Sequence, residues 1–327
     1  MNNFNIIRKN IICLIAISFF LSSTSLAQKA DQSISKPRLL FQSGFEGETK
    51  VVPHTNGNHK LIGGDKNLKY SDWTTDVEKR ARAKNVNINY TGGDSTKRFA
   101  KIIPEPGNPK NKVLQFWLNE PYLASENQEK ARVQVDFYGI DGGYKDFYQS
   151  VRVFLTEDFE VIKNSPRSIG WLTISEFWNN EWWVKGEPYG FRITLGIGKE
   201  SAESKELHFI LEAENAGQKL VWRADHKEPN VAVPIGKWFT MDYYFKEGNQ
   251  ETGRVYLAIT PEDGQRQVVY DIKNFTHMTN DPVPNGFTGY NPMKLYTSKE
   301  LVSYVKSQGK TLQIYWDDFK LWTNKRP

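Results

Sequence analysis

Strand-like alternation of apolar and polar residues recurs along this chain, and helical periodicity is almost absent. The clearest runs are Leu39–Phe41, Lys112–Leu118, Arg132–Tyr138, Asp146–Phe154, Trp171–Trp178 and Tyr189–Ile197. Further runs are Leu207–Glu214, Trp238–Phe245, Arg254–Ile259, Gln267–Asp271 and Thr311–Trp322. Clusters of turn-forming residues separate them, such as Gly139-Ile140-Asp141-Gly142-Gly143 and Pro261-Glu262-Asp263-Gly264. Many short strands at this spacing predict an all-β fold, with two antiparallel sheets packed as a sandwich. One short helix is predicted at Ser298–Ser307, with Ser298 capping its start. Residues 42–111 alternate less regularly and hold polar loops, which read either as the frame of a binding face or as solvated decoration.

Alternation also assigns faces. In WLTISEFWNNEWW, Leu172, Ile174, Glu176 and Trp178 are expected on one side of a strand, and Trp171, Thr173, Ser175 and Phe177 on the other. A carboxylate among Trp residues suits a sugar groove: aromatic faces stack on the C–H faces of pyranose rings, and a partly desolvated carboxylate can move a proton. Trp178 and Trp182 are the candidate stacking platforms. In ELHFILEAEN, His208, Glu212 and Glu214 share a polar face. Arg192 in YGFRITLGIG and Arg152 in QSVRVF point away from their apolar neighbours, and Arg132, Gln134, Asp136 and Tyr138 share a face of RVQVDFY. If these strands belong to one sheet, its outer face forms a cleft for a polar polymer, an anionic one included. The competing account is a solvent-facing sheet laced with cross-strand ion pairs.

The ends change the compartment expected. Arg8 and Lys9, the apolar run Ile11–Leu21 and the small-residue site Ser25-Leu26-Ala27 read as a signal peptide cleaved after Ala27. Residues 28–37 read as a flexible lead-in. The apolar run is short for a transmembrane span and no second one follows, so no membrane span is expected in the mature chain. Its only cysteine, Cys13, leaves with the leader, which removes disulfides, thiolate catalysis and zinc–thiolate sites. An exported bacterial protein, periplasmic or extracellular, is expected. The formal charge of +5 becomes +3 without Arg8 and Lys9, compatible with an anionic ligand but not a nucleic-acid footprint.

Metal and cofactor signals are weak. The five His are scattered, and no HExxH, EF-hand loop, P-loop or GxSxG elbow is present. His54 and His59 flank a turn and read as surface residues. The adjacent Asp317 and Asp318 are expected to diverge, because neighbours on a strand face opposite sides. No metal and no cofactor are expected.

The order of DFYQSVRVFLTEDF, WLTISEFWNN, PIGKWFTMDYYFKEGNQETGRVYLAIT, MKLYTS and IYWDDFKLW resembles the heparin-lyase-I-like polysaccharide lyases. The resemblance runs from about Phe41 to Trp322. It implies a concanavalin-like β-jelly roll, here a single domain over residues 38–325. The family's central strand carries Gln-x-His, with Gln near the uronate carboxylate and His as proton abstractor; Glu176-Phe177-Trp178 stand there instead. A Trp cannot remove the C5 proton of a uronate, and an ionised Glu repels its carboxylate. Lys294 and Tyr296 fall at the family's Lys/Tyr segment and leave a Tyr-based elimination open. Glu176 with Glu212 or Glu214, and His208 nearby, suits acid/base glycoside hydrolysis instead. The substrate-binding set is then Trp178, Trp182, Arg152, Arg192, Lys294 and Tyr296. A polysaccharide-degrading enzyme, lyase or hydrolase, holding an extended glycan in a concave sheet groove is therefore expected. The alternative is a non-catalytic glycan-binding protein on the same fold.

Overall fold

The computed structural model describes residues 36–89, 97–123, 129–179, 189–215, 217, 219–225 and 231–327. The expected leader and lead-in lie outside them, apart from Lys36 and Pro37. In chain order the first strands are β1 (Arg38–Ser43), β2 (Lys50–Pro53), β3 (His59–Ile62), β4 (Ala83–Asn89), β5 (Arg98–Glu105), β6 (Asn108–Leu118) and β7 (Tyr122–Leu123). There follow β8 (Glu129–Ile140), β9 (Asp146–Leu155), β10 (Leu172–Asn179), β11 (Phe191–Gly198), β12 (His208–Asn215) and β13 (Lys219–Ala224). The last are β14 (Trp238–Lys246), β15 (Arg254–Pro261), β16 (Gln267–Lys273), β17 (Gly289–Asn291), β18 (Lys294–Ser298) and β19 (Leu312–Thr323).

They form two sheets whose pairs are antiparallel. The first runs β16-β15-β14-β9-β19-β6-β5, with β1 on β19. The second runs β13-β12-β11-β10-β17-β8-β4-β3-β2, with β18 bridging β10 and β8. All eleven predicted strands are present. The structure corrects residues 42–111, where β2 to β5 stand in place of the expected loops. His54 and His59 belong to the tight β2–β3 hairpin, in which Pro53 pairs with His59.

The fold is an all-β, concanavalin-like jelly roll because each strand has one apolar face to bury. Val133, Val135 and Phe137 of β8, Ile193 and Leu195 of β11, and Met241, Tyr243 and Phe245 of β14 enter one core, each fully buried. At its centre the Phe177 ring of the second sheet stacks on Tyr243 of the first, with centroids 4.3 Å apart, and on Tyr290 at 4.7 Å. The predicted helix is α2 (Lys299–Ser307), following the shorter α1 (Thr75–Lys79). Ser298 caps α2 by accepting from the Leu301 amide at 3.4 Å. No helix of the described residues is long and apolar enough to cross a membrane.

One irregularity positions the site. Thr173 pairs with Gly196 and Ser175 with Leu195, so β10 carries one extra residue relative to β11. Strict alternation would place Leu172, Ile174, Glu176 and Trp178 on one face. The bulge instead lets Leu172, Ile174 and Phe177 all enter the core. Glu176 and Trp178 stay together on the outer face.

Candidate functional site

Registers across the second sheet bring polar residues from distant parts of the chain into rows. Glu176 pairs with Thr194, which pairs with Glu212, which pairs with Arg223. On the other side Glu176 pairs with Asn291. Beyond it, β8 presents Gln134 opposite Lys294 and Arg132 opposite Tyr296. The outer side of β4 carries Asn85, Asn87 and Asn89, opposite Tyr138, Asp136 and Gln134.

Hydrogen bonds join this face into one network. Arg192 Nε donates to Glu214 Oε2 at 2.5 Å and its Nη1 to Glu176 Oε1 at 3.2 Å. Lys294 Nζ donates to Glu176 Oε2, and also to Asn291 Oδ1 at 3.3 Å. Asn291 Nδ2 donates to Asp136 Oδ1, which also accepts from Gln134 Nε2 at 2.6 Å. Glu176, Asp136 and Lys294 are all buried. Burying charge without partners is costly, so the alternating signs are what make the cluster tolerable.

These surroundings set the titration of each group. Burial pushes the Glu176 carboxyl up, but the Lys294 ammonium and the Arg192 guanidinium outweigh it and hold the group at about 2. Burial dominates at Asp136 and lifts it to about 6 against the pull of Arg132 and Lys294. Burial also lifts Glu212, opposed by Arg223, whose Nη1 lies 2.8 Å from Glu212 Oε1. Burial pulls the Lys294 ammonium below its ordinary value, and Glu176 opposes this.

A pH dependence of stability follows. Glu176 contributes stability present above its unfolded value of 4.5 and lost as pH falls towards about 2. Asp136 and Asp317, each raised from 3.8 to about 6, contribute stability that is complete below 3.8 and lost as pH rises through 6. Each contribution is on the order of 3 kcal/mol. The melting temperature is therefore expected to peak between about pH 4 and 5 and to fall on both sides. A fluorescence melting series over pH checks this, and a steady climb from acid to neutral pH would contradict it.

The predicted residues are distributed as follows. Glu176, Trp178, Arg192, Glu212, Glu214, Lys294 and Tyr296 share the outer face of the second sheet. His208 lies on β12 too but opposite Gly198, four residues from Glu212, or about 13 Å along the strand. It is thereby separated from the Glu176 cluster. Trp182 lies outside the described residues. Arg152 is corrected: β9 belongs to the first sheet, and there Arg152 pairs with Glu105 at 3.3 Å, Glu262 at 3.0 Å and Asp317 at 3.2 Å. Its guanidinium also lies 4.2 Å from the Trp238 ring centre.

Trp178 is 6% exposed, which leaves little ring surface for a sugar. Its ring meets Tyr138 edge-on at 5.7 Å and lies against Gly289, where an added Cβ would stand 2.2 Å from the indole. Gly289→Ala is accordingly expected to displace the indole and cost about 1–3 kcal/mol. Denaturant unfolding and Trp emission would register it, and an unchanged midpoint would refute this packing.

Asp317 and Asp318 do not diverge. A register shift follows Asp317, and Asp318 adopts φ 48°. A Cβ on Gly44 would lie 3.7 Å from Asp317 Oδ1 and 3.9 Å from Asp318 Oδ1. Among the described residues no group of three His, Cys, Asp or Glu is arranged to hold a metal ion.

The site residues missing from the expected catalytic and binding set are Lys130 and Asn291, together with Arg132 and Asp136, to which alternation gave a face but no role. Tyr296 is central to them. Its half-buried ring has Lys294 Nζ at 4.8 Å, Arg132 at 5.5 Å and Lys130 Nζ at 5.7 Å from its centre, and Trp171 edge-on at 4.8 Å. Burial raises the phenol above its ordinary value, while Lys130 and Arg132 oppose the rise.

No family model matches the chain, and no curated protein matches it in sequence. The heparin-lyase-I-like resemblance thus stays with the motifs that suggested it. Solved structures that resemble the fold include an alginate lyase from Aplysia kurodai, at 10% identity and TM-score 0.47, covering 88% of this chain and 99% of that one. Another is an endo-β-1,4-glucuronan lyase from Trichoderma reesei, at 14% identity and TM-score 0.44, covering 74% and 95%. A third is the catalytic domain of a family 131 glycoside hydrolase from Coprinopsis cinerea, at 8% identity and TM-score 0.36, covering 71% and 80%. Overlaps this loose carry no argument about activity, which must be read from the residues of the face.

Proposed function

We propose that this chain is an exported enzyme that cleaves a uronate-containing polysaccharide by β-elimination on the outer face of the second sheet. The observation that carries the reading is Tyr296, a half-buried phenol with three cations around its ring. Arg132 and Lys130 would take the uronate carboxylate, and its neutralisation acidifies the C5 proton. Tyr296 would move that proton: the C5–H bond breaks, the C4=C5 double bond forms, the C4–O bond breaks, and the departing oxygen leaves protonated. Glu176 and Lys294 would hold the cationic wall in place. The row from Arg223 to Asn87 crosses seven strands, or about 29 Å at the usual strand spacing, room for several sugar units. Export is supported by the leader-like first 27 residues and the cysteine-free remainder.

Hydrolysis through Glu176 is the weaker reading, because a carboxyl held at about 2 has no proton to give at neutral pH. Glu212 is the carboxyl that burial raises, and it stands two strands from Glu176, about 10 Å away by strand spacing. That pair keeps an acid–base hydrolysis as the second reading. A panel of polyuronates and neutral glycans separates the readings. Elimination produces the ultraviolet absorbance of an unsaturated uronate, and hydrolysis releases reducing ends without it. Retention on glycan gels with neither signal would leave a binding protein and end the enzymatic reading.

A further inference from the structure

The first sheet carries a charged surface that this chemistry does not use. On its outer side Trp322, Tyr148, Tyr244 and Tyr256 stand in register across β19, β9, β14 and β15. The three Tyr are 1–6% exposed, so their rings are closed to stacking. Cations lie over them. Lys325 Nζ is 3.7 Å from the Trp322 ring centre and 4.1 Å from that of Tyr148. Arg326 is 5.2 Å from Tyr244, Arg254 is 5.8 Å from Tyr244 and Tyr256, and Arg266 is 5.6 Å from Tyr256.

The adjoining row adds two more. Asp146, Lys246, Arg254 and Lys273 are in register, and both lysines are exposed. Lys320 lies on the other side, opposite Ser150. Among the described residues, the carboxylates paired with these cations are Asp146, Asp242 and Asp271. Seven cations against three carboxylates leave an excess of four, on a chain whose whole net charge is +5. An aromatic ring holds a cation without cancelling its charge, so this face keeps a positive field.

We propose that this face is a second binding surface, for an anionic polysaccharide carrying carboxylate or sulfate groups. Lys246, Arg254 and Lys273 stand opposite one another on β14, β15 and β16, about 4.8 Å apart from strand to strand, a spacing suited to a polymer with regularly repeated charge. Single-stranded nucleic acid binds through exposed aromatic platforms, and these rings are covered. Duplex recognition needs an element that enters a groove, and the residues here lie on sheet strands, in the short turn before β16 and in the segment after β19. The surface would hold polymer near the second sheet; only this role rests on the function proposed above.

The test is affinity electrophoresis in gels containing sodium alginate, dextran sulfate or neutral dextran, with Tyr296→Phe as background to prevent cleavage. Retardation by both anionic polymers but not by dextran, weakening with added salt, is expected. Lys246→Glu/Lys273→Glu should weaken it about tenfold, the combined effect of several exposed charges. The same pair placed in the unmodified protein should leave cleavage of short oligouronides unchanged. Retardation that the double variant leaves intact would overturn the site, as would retardation by neutral dextran or tighter binding of a single-stranded oligonucleotide. Lysine-dependent retardation in a protein that cleaves no polyuronate would sustain this surface and end the elimination reading alone.

Discussion

Tyr296→Phe is expected to lower elimination on a polyuronate by about 10²–10⁴-fold, the scale of a lost general acid–base group, and to leave the fold intact. The phenyl ring keeps its contacts with Trp171 and the surrounding cations, so only the proton-carrying oxygen is removed. Because burial holds the phenol above its ordinary value, the phenolate is the minor form at neutral pH. The kcat/KM of the unmodified protein should therefore rise from about pH 7 to about pH 9. Initial rates from the unsaturated-product absorbance give both results. A Phe variant within a factor of about two of the parent, at equal melting temperature, would remove Tyr296 from the chemistry.

The second large effect concerns stability. Lys294→Met strips the buried Glu176 of its nearest cation, leaves Arg192 to serve both Glu176 and Glu214, and is expected to cost about 3–5 kcal/mol. For a domain of this size that is roughly a 10 °C fall in melting temperature. Glu176→Gln should also destabilise, because the buried Lys294 ammonium then loses the charge of the carboxylate it is bonded to. The double variant is expected to recover much of the loss, since neither buried charge is then orphaned. Calorimetry on the three variants checks the cycle; strictly additive losses would show that the two side chains are not coupled.

Much of the fold was legible in the alternation, because a strand with one buried face must repeat every two residues. The face shared by Glu176 and Trp178, and the one shared by Arg132, Gln134, Asp136 and Tyr138, followed from the same rule. Which strands lie side by side did not. Glu176 and Lys294 are 118 residues apart, and only the order β10-β17-β8, with β18 across it, makes them partners. Arg152 shows the limit clearly: alternation places it outward on β9 but cannot say which sheet β9 joins. β4 was unread for another reason. Its NVNIN stretch alternates, but Asn is depleted in strands, and the segment resembled a polar loop.

The extra residue in β10 acts as a phase shifter between two independent codes. Upstream of it, Leu172 and Ile174 are chosen by the core; downstream, Glu176 and Trp178 are set outward while Phe177 returns inward. Deleting one residue there would invert everything beyond it, turning Phe177 to solvent and driving the Glu176 carboxylate into the aromatic stack of Tyr243 and Tyr290. Substitutions on either side of the bulge can accumulate separately, but a change of length within it cannot, so the spacing of this strand is more constrained than its composition.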